Sequence, residues 1–249
     1  MFKQRMWMFP AAQWLGLLSG AYAIWLLTGG ASLWWLLAWA VGHTFGGIAV
    51  SAGLHRYFTH GAFQTTRFWH NILALYATLT VQDSPVAWAG VHTTHHVHSD
   101  KPGDPHYTGF AYLLRKHYLS VPLKMRRVRQ VIQDPTVRFV HRNAVLIIAA
   151  WISLLLLVGL LTGTGVLPLV FGYLAPLGST QTFGAIHQVT SHRGGNGAKD
   201  MPWMEWILPA AGEWMHKHHH DHPRDPRMGT KWWNLDYGYW FICLIRTDR

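Results

Sequence analysis

Histidine is the residue whose number and spacing point to chemistry. The chain holds 18 His against 11 Asp and Glu. His55 and His60 are separated by Arg-Tyr-Phe-Thr, and His92, His95 and His96 stand in an HxxHH pattern. His216, His219 and His220 repeat that pattern, and His192 stands alone between the last two clusters. Residues at i, i+3 and i+4 share one face of a helix, so each HxxHH set can converge on one point. His55 and His60 are about 140° apart on an ideal α-helix. One of them is therefore expected past a helix end, or the two serve different metals. Neutral imidazole suits iron, zinc, copper and nickel. These imidazoles exceed the need of one ion, so two ions are expected. His218 and His222 offer a competing register in the last cluster.

The other ligand types narrow the metal chemistry. A carboxylate-bridged site of the ferritin-like kind needs four Glu, and this chain has only Glu205 and Glu213. Glu213-Trp-Met-His216 matches the Glu-x-x-His spacing once. Cys243 is the sole cysteine, which excludes a disulfide framework, a thiolate zinc site and an iron–sulfur cluster. A hydrolytic zinc site needs three protein ligands and a base, fewer than the clusters offer. A redox pair that activates dioxygen fits the set better. Asp83, Asp100, Asp104 and Asp221 can accept imidazole N–H bonds and orient ligands. His98, His106 and His187 are candidates for the surrounding shell, and His43, His70, His117 and His141 read as structural or interfacial.

The elements that must position these residues are largely apolar. Charged residues make up 13% of the chain, against about 25% in soluble domains. Four runs, 9–28, 31–50, 144–162 and 166–186, approach the ~20 residues that cross a bilayer. Gly29-Gly30 and Gly163-Thr164-Gly165 join them into two hairpins. The first run is too long for a cleavable leader and is expected to stay as a span. Neither join carries Lys or Arg, so all 21 basic residues, from Lys3 and Arg5 onward, fall on one side. That side is cytoplasmic by the positive-inside rule, with both termini on it. The net charge of +10 then fits an anionic membrane surface, with no nucleic-acid partner.

The expected fold is an all-α membrane protein in a single domain, 1–249. Its four transmembrane helices form two hairpins under a cytoplasmic helical cap, 51–143 and 187–249, that carries the histidines. The shorter run 68–81 reads as an interfacial or re-entrant helix, and the basic segment 116–142 as lying along the headgroups. Trp88, Trp203, Trp206, Trp214, Trp232, Trp233 and Trp240 suit either the wall of an apolar tunnel or an interfacial aromatic belt. Arg56, Lys101, Lys116 and Lys124 are candidates for an anionic head group or for lipid anchoring. A metal transporter would place ionisable residues within the spans, whereas here the clusters lie outside them.

At these residues the chain resembles the membrane fatty acyl desaturases, particularly the delta-9 acyl-CoA and acyl-lipid type. Gly53-Leu-His55-Arg56-Tyr-Phe-Thr-His60 is similar to the first histidine box of that family. The stretch from Trp88 to His106 is similar to the second box and its tail, and Gly212 to His220 to the third. His192 falls where the family has a further ligand, and Gln188 where it often has an Asn that holds a metal-bound water. The resemblance spans 41–245. It implies two ferrous ions held by His55, His60, His92, His95, His96, His192, His216, His219 and His220, with dioxygen as co-substrate. It implies insertion of a cis double bond into a saturated acyl chain, as a CoA thioester or lipid-bound. Related hydroxylases, acetylenases and carotenoid oxygenases use the same platform. Animal acyl-CoA members carry Arg-Asp where this chain has Gly90 and Val91, a form closer to cyanobacterial and plant members. The chain has no His-Pro-Gly-Gly haem segment, so the resemblance implies a separate electron donor such as a ferredoxin, rubredoxin or cytochrome, at a bacterial inner membrane.

Overall fold

The computed structural model describes residues 5, 7–106, 125–195 and 197–248. Lys3, Arg115, Lys116, His117 and Lys124 lie outside them. The described residues are helical, with two isolated backbone bridges, Thr65 to Arg246 and Asp200 to Met215, and no strand. The helices are α1 (Met8–Thr28), α2 (Trp35–Ile48), α3 (Arg67–Leu79), α4 (Pro85–His98), α5 (Met125–Val131), α6 (Pro135–Leu161), α7 (Ala175–Ser191), α8 (His216–Asp221) and α9 (Tyr237–Ile245).

Three helices are long and apolar enough to cross a membrane: Met8–Thr28, Trp35–His60 and Pro135–Leu161. Their outer faces carry apolar side chains in the open, such as Leu37 at 60% exposure and Leu160 at 75%. Such a belt would be a liability in water and is ordinary against lipid. The second of these helices runs past the expected end at 50. Beyond Ile48 it continues without a break as π-helix, Ala49–His60, and stops where Gly61 turns left-handed at φ 61°. Arg127 on α5 bonds the Phe58 carbonyl near that end. The first histidine cluster therefore lies inside the helix rather than after it. The third span also starts early, because Asp134 caps α6 by accepting from the backbone of Thr136 and Val137. Of the described part of 116–142, most is α5 and the start of α6.

The expected fourth span is not among these three helices. It is built from a turn at Leu167–Leu169, a π turn at Val170–Leu174, and α7. Ser179, Thr180, Gln181 and Thr182 make its centre polar. Gln181 is buried and donates to the Thr80 carbonyl at 3.0 Å. The segment is also the partner of α1. A Cβ on Gly16 would lie 2.1 Å from Gly178 Cα, so the two backbones touch. Close approach through small residues is how helices associate where no hydrophobic drive exists between them.

The run read as interfacial is α3, which packs against α6 and the π-helical stretch. Its inner face is Leu73, Ala74 and Ala77, while Phe68 stays out at 65%. The turn after it is tight, with Val81 at φ 57° and Asp83 at φ 61°. Asp83 accepts from Arg5 at its backbone and guanidinium, at 2.7 to 3.0 Å. That ion pair ties the start of α1 to the start of α4, the helix that carries the second cluster.

The Gly16 contact is directly testable. Gly16→Ala is expected to lower the melting temperature in detergent, at a cost of about 1–3 kcal/mol from forced overpacking. Gly20→Ala, where a Cβ meets nothing within 4 Å, is expected to be neutral or slightly stabilising. Equal melting temperatures for the two variants would show that the crossing is loose.

Candidate metal centre

Four separate elements deliver the imidazoles. The π-helical stretch carries His55 and His60, α4 carries His92, His95 and His96, His192 caps α7, and α8 carries His216, His219 and His220. They gather into two groups. His55, His60, His92, His96 and His219 form one, and His95, His192, His216 and His220 the other, with the potential ligand atoms of each group all within 4.8 Å. The expectation that His55 and His60 would part does not hold. In a π-helix the bonding repeat is i to i+5, so residues five apart share a face, and the two rings lie 5.0 Å apart.

The nitrogens meet at 2.8 to 3.2 Å. In the first group His219 Nε2 is 2.8 Å from His55 Nε2 and 3.0 Å from His96 Nε2, which is 3.0 Å from His92 Nε2. In the second, His216 Nε2 is 2.9 Å from His192 Nε2 and 3.2 Å from His220 Nε2, and His95 Nε2 is 3.2 Å from His220 Nε2. Two nitrogens each about 2.1 Å from one ion, at right angles, stand about 3 Å apart. The spacing therefore fits a shared cation. The outer contacts agree. Asp104 sits 2.8 Å from His95 Nδ1, Asp100 3.1 Å from His192 Nδ1, and Glu213 2.8 Å from His55 Nδ1. Asp104 and Asp100 take the Nδ1–H of their rings, so those Nε2 atoms turn their lone pairs inward, whereas Glu213 stands beside His55 Nδ1 as a charge contact.

Burial keeps these rings neutral. It pushes His92, His95, His216, His219 and His220 well down from the usual imidazole value, and neighbouring imidazoles push them further. His96 falls to about 3 for the same reasons. His192 is lowered by burial, with Asp100 opposing. Neutral imidazole is the ligating form.

Glu213 is the residue that sequence reading missed as an orienting group. Its sequence neighbours Trp214 to His216 suggested a ligand pattern, yet its imidazole partner is His55, far away in the chain. Burial pushes its carboxyl up, and His55 and Arg56 outweigh that and hold it at about 2. Arg56 is not at the headgroups. It is 1% exposed and bonds Asp236 at 2.9 Å and Ser51 at 2.9 Å, and Ser51 in turn donates to Glu213. Lys101 is exposed. Asp83 and Asp221 face Arg5 and Lys217 instead of imidazoles.

The remaining histidines sort by place. His187 is buried edge-on to His216 and Trp214, and His106 lies 4.5 Å from His95, ring to ring. His98 is half-buried. His218 faces Asp225 at 3.3 Å and its ring lies tilted 5.0 Å from that of His222, so this pair stands apart from the two groups. His43 bonds Ser179 and the Pro209 carbonyl, His70 bonds Tyr57 and Asp134, and His141 meets Ser84. Gln188 is buried with its Nε2 unpartnered, and it lines a small chamber with Trp88, His92, His187, Glu213 and His216. Thr180 borders both this chamber and a larger apolar cavity of about 270 Å³ between α2, α3 and α7. Trp88 stacks on His92 at 4.7 Å, and Trp214 is fully buried. Trp203, Trp206, Trp232, Trp233 and Trp240 are exposed, as an interfacial belt requires.

No family model matches the chain. It is 30% identical over 230 residues to a hex-5-enoyl-[acyl-carrier protein] acetylenase of Moorena producens, covering 80% of this chain and 68% of that protein. It is 27% identical to an sn-1 stearoyl-lipid 9-desaturase of Anabaena variabilis, over 85% of this chain and 78% of the relative. It is 26% identical to a Delta(9)-fatty-acid desaturase of Caenorhabditis elegans, over 93% and 73%.

Two outcomes are expected. Purified protein should hold two metal ions per chain by elemental analysis, and His219→Ala and His220→Ala should each fall below two; unchanged content in both would reject the two groups as ligand sets. Metal-stripped protein should be acid-sensitive. Unfolded imidazoles titrate near 6.5 and these folded ones lower, so the unfolded chain binds more protons in between. Stability is then complete above about pH 6.5 and is lost as pH falls toward about 3, the His96 value. The slope is about 1.4 kcal/mol per pH unit for each buried ring. Denaturant titrations from pH 7.5 to 4 with and without metal measure it, and a flat profile without metal would contradict the burial argument.

Proposed function

Since the chain belongs to the fatty acid desaturase family, we propose that it inserts a cis double bond into a saturated fatty acyl chain. The observation that carries this reading is the meeting of two imidazole groups at a small chamber that shares Thr180 with an apolar cavity. The proposed metal ligands are His55, His60, His92, His96 and His219 for one ion, and His95, His192, His216 and His220 for the other. The proposed ions are iron, because an all-nitrogen neutral donor set suits a redox metal and carboxylate donors are few. When bound, the iron pair supplies dioxygen activation with two external electrons, so that two hydrogens leave neighbouring methylenes.

The side chains of this protein do the positioning. Asp100 and Asp104 hold the tautomers of His192 and His95 with Nε2 inward, and Glu213 places a charge beside His55. Trp88, stacked on His92, forms an apolar wall against the site. The cavity between α2 and α7 supplies a dry place for the acyl chain, and Thr180 marks where cavity and chamber meet. Gln188 Nε2, buried and unpartnered, is placed to hold a water at the second group. Fixing a flexible chain with its reacting carbons beside the metals removes much of the entropic barrier. No side chain needs to act as nucleophile.

The proposed setting is a bilayer crossed four times, with the segment 166–186 completing two hairpins and the histidine-bearing parts as a cap. The concentration of Lys and Arg puts that cap and both termini in the cytoplasm, at a bacterial inner membrane. A separate ferredoxin, rubredoxin or cytochrome would deliver electrons, and the substrate would be a CoA thioester or a lipid-bound chain. A second reading is acetylenic: one relative is an acetylenase of a terminal enoyl chain. It differs in starting from an alkene.

Expression in a bacterium with defined lipids separates the readings. Desaturation predicts new acyl chains lighter than their saturated parents by two hydrogens, with the double bond mapped by cleavage. His219→Ala should abolish them while leaving the protein in the membrane. Products that appear only when an alkenyl chain is fed would favour the acetylenase reading, and oxygen-bearing products would point to a hydroxylase.

A further inference from the structure

The two imidazole groups differ in the carboxylates behind them. The four-histidine group has two: Asp104 on His95 at 2.8 Å and Asp100 on His192 at 3.1 Å. The rings are fully buried, and the carboxylate side chains are 1% and 6% exposed. The two acids are braced together. Asp100 N–H donates to Asp104 at 3.0 Å, His106 N–H donates to Asp104 at 2.7 Å, and Gly197 N–H donates to Asp100 at 2.9 Å. The five-histidine group has one, Glu213 on His55. That charge is shared: Ser51 donates to its Oε1, and the Arg56 guanidinium stands 4.0 Å from it.

A carboxylate that accepts the Nδ1–H makes the imidazole a stronger electron donor to a metal on Nε2. Negative charge in a dry site also favours the more positive ion, and dry surroundings magnify the effect. Two such carboxylates on one ion and one partly neutralised carboxylate on the other act unequally. Resting on the family reading of an iron pair, we propose that Asp100 and Asp104 make the four-histidine iron the more easily oxidised of the two. They are positioning residues, acting through His192 and His95. Chemically identical imidazoles are thereby given two electronic characters, and the first electron of each turnover leaves from a defined ion. The step balances as ferrous to ferric iron, with one electron passing to dioxygen as co-substrate or, in a redox titration, to an oxidised mediator.

The test is a mediated redox titration of iron-57-loaded full-length protein in detergent, read by Mössbauer spectroscopy. Wild type should lose its ferrous signals in two steps. Asp104→Asn and Asp100→Asn should each move the first step to more positive potential and narrow the gap. Glu213→Gln should move the second step instead and widen it. Asp104→Glu and Asp100→Glu keep the charge and should keep the wild-type order, whereas a merely structural role would make the Asn and Glu variants alike. A single unresolved step in wild type, or a gap unchanged in both Asn variants, overturns the proposal. Wild type that binds no iron would instead sink the family-based reading of the metal.

Discussion

Nine imidazoles aimed at two points in a water-poor interior set the terms for the rest of the molecule. Rings such as His92, His95, His216 and His219 are held neutral there, because burial penalises the charged form and neighbouring rings add repulsion. Neutral rings satisfy one another only in part, since each carries a single N–H, and those of His95 and His192 are committed outward to Asp104 and Asp100. The Nε2 atoms meet at 2.8 to 3.2 Å, while the Nδ1 atoms of His55, His92, His216 and His219 have no hydrogen-bond partner. A buried polar atom without a partner costs about 1–3 kcal/mol. A cation between the Nε2 atoms adds bonds that offset such costs, which is why the folded centre and metal affinity are one physical problem.

That demand explains features far from the imidazoles. The Arg5–Asp83 pair and the capped starts of α3 and α6 fix the helices that carry or support the second cluster. Arg56 is buried to hold Asp236, Ser51 and the Ala211 carbonyl in place behind Glu213. An unpaired guanidinium there would be intolerable, and the cluster of acceptors makes it a cross-brace between the π-helical stretch and the segment leading to α9. On the opposite side, glycine contacts bring α1 and α7 into backbone contact. The cavity between α2 and α7 is lined mainly by apolar residues.

Much of this was legible in the sequence where a simple period applies. The HxxHH sets read as convergent because i, i+3 and i+4 share a helical face, and the structure brings all three members of each set into the two groups. The helical class and three apolar helices followed from run length. His55 and His60 were misread because the 3.6-residue period was assumed where the chain winds as π-helix. Residues 51–60 were placed in the cap for a related reason: hydropathy drops there while the helix continues. Glu213 and Arg56 were missed because their partners, His55 and Asp236, are remote in sequence, and a charged residue beside an apolar run reads as exposed. The segment 166–186 is less apolar than expected because its polar residues face other helices, as Gln181 faces Thr80.

The way the clusters divide shows why two periods are needed. On α4 the pair His92 and His96 goes to the five-membered group and His95 to the other. On α8 the roles reverse, with His216 and His220 in the four-membered group and His219 in the five-membered one. Each of these helices therefore straddles both groups, and neither group can shift without dragging the other. The distance between the two points is set by two rigid helices rather than by loops. The remaining ligands must not straddle. His192 serves one group alone, and a π-helical repeat is what lets His55 and His60 serve the other together. The buried amide of Gln188 lines the chamber, whose wall also holds His92 of the five-membered group and His216 of the four-membered one. The chamber thus borders both groups at once, through His92 and His216, and it shares Thr180 with the apolar cavity, on the side where a metal pair working on an external chain would need its opening.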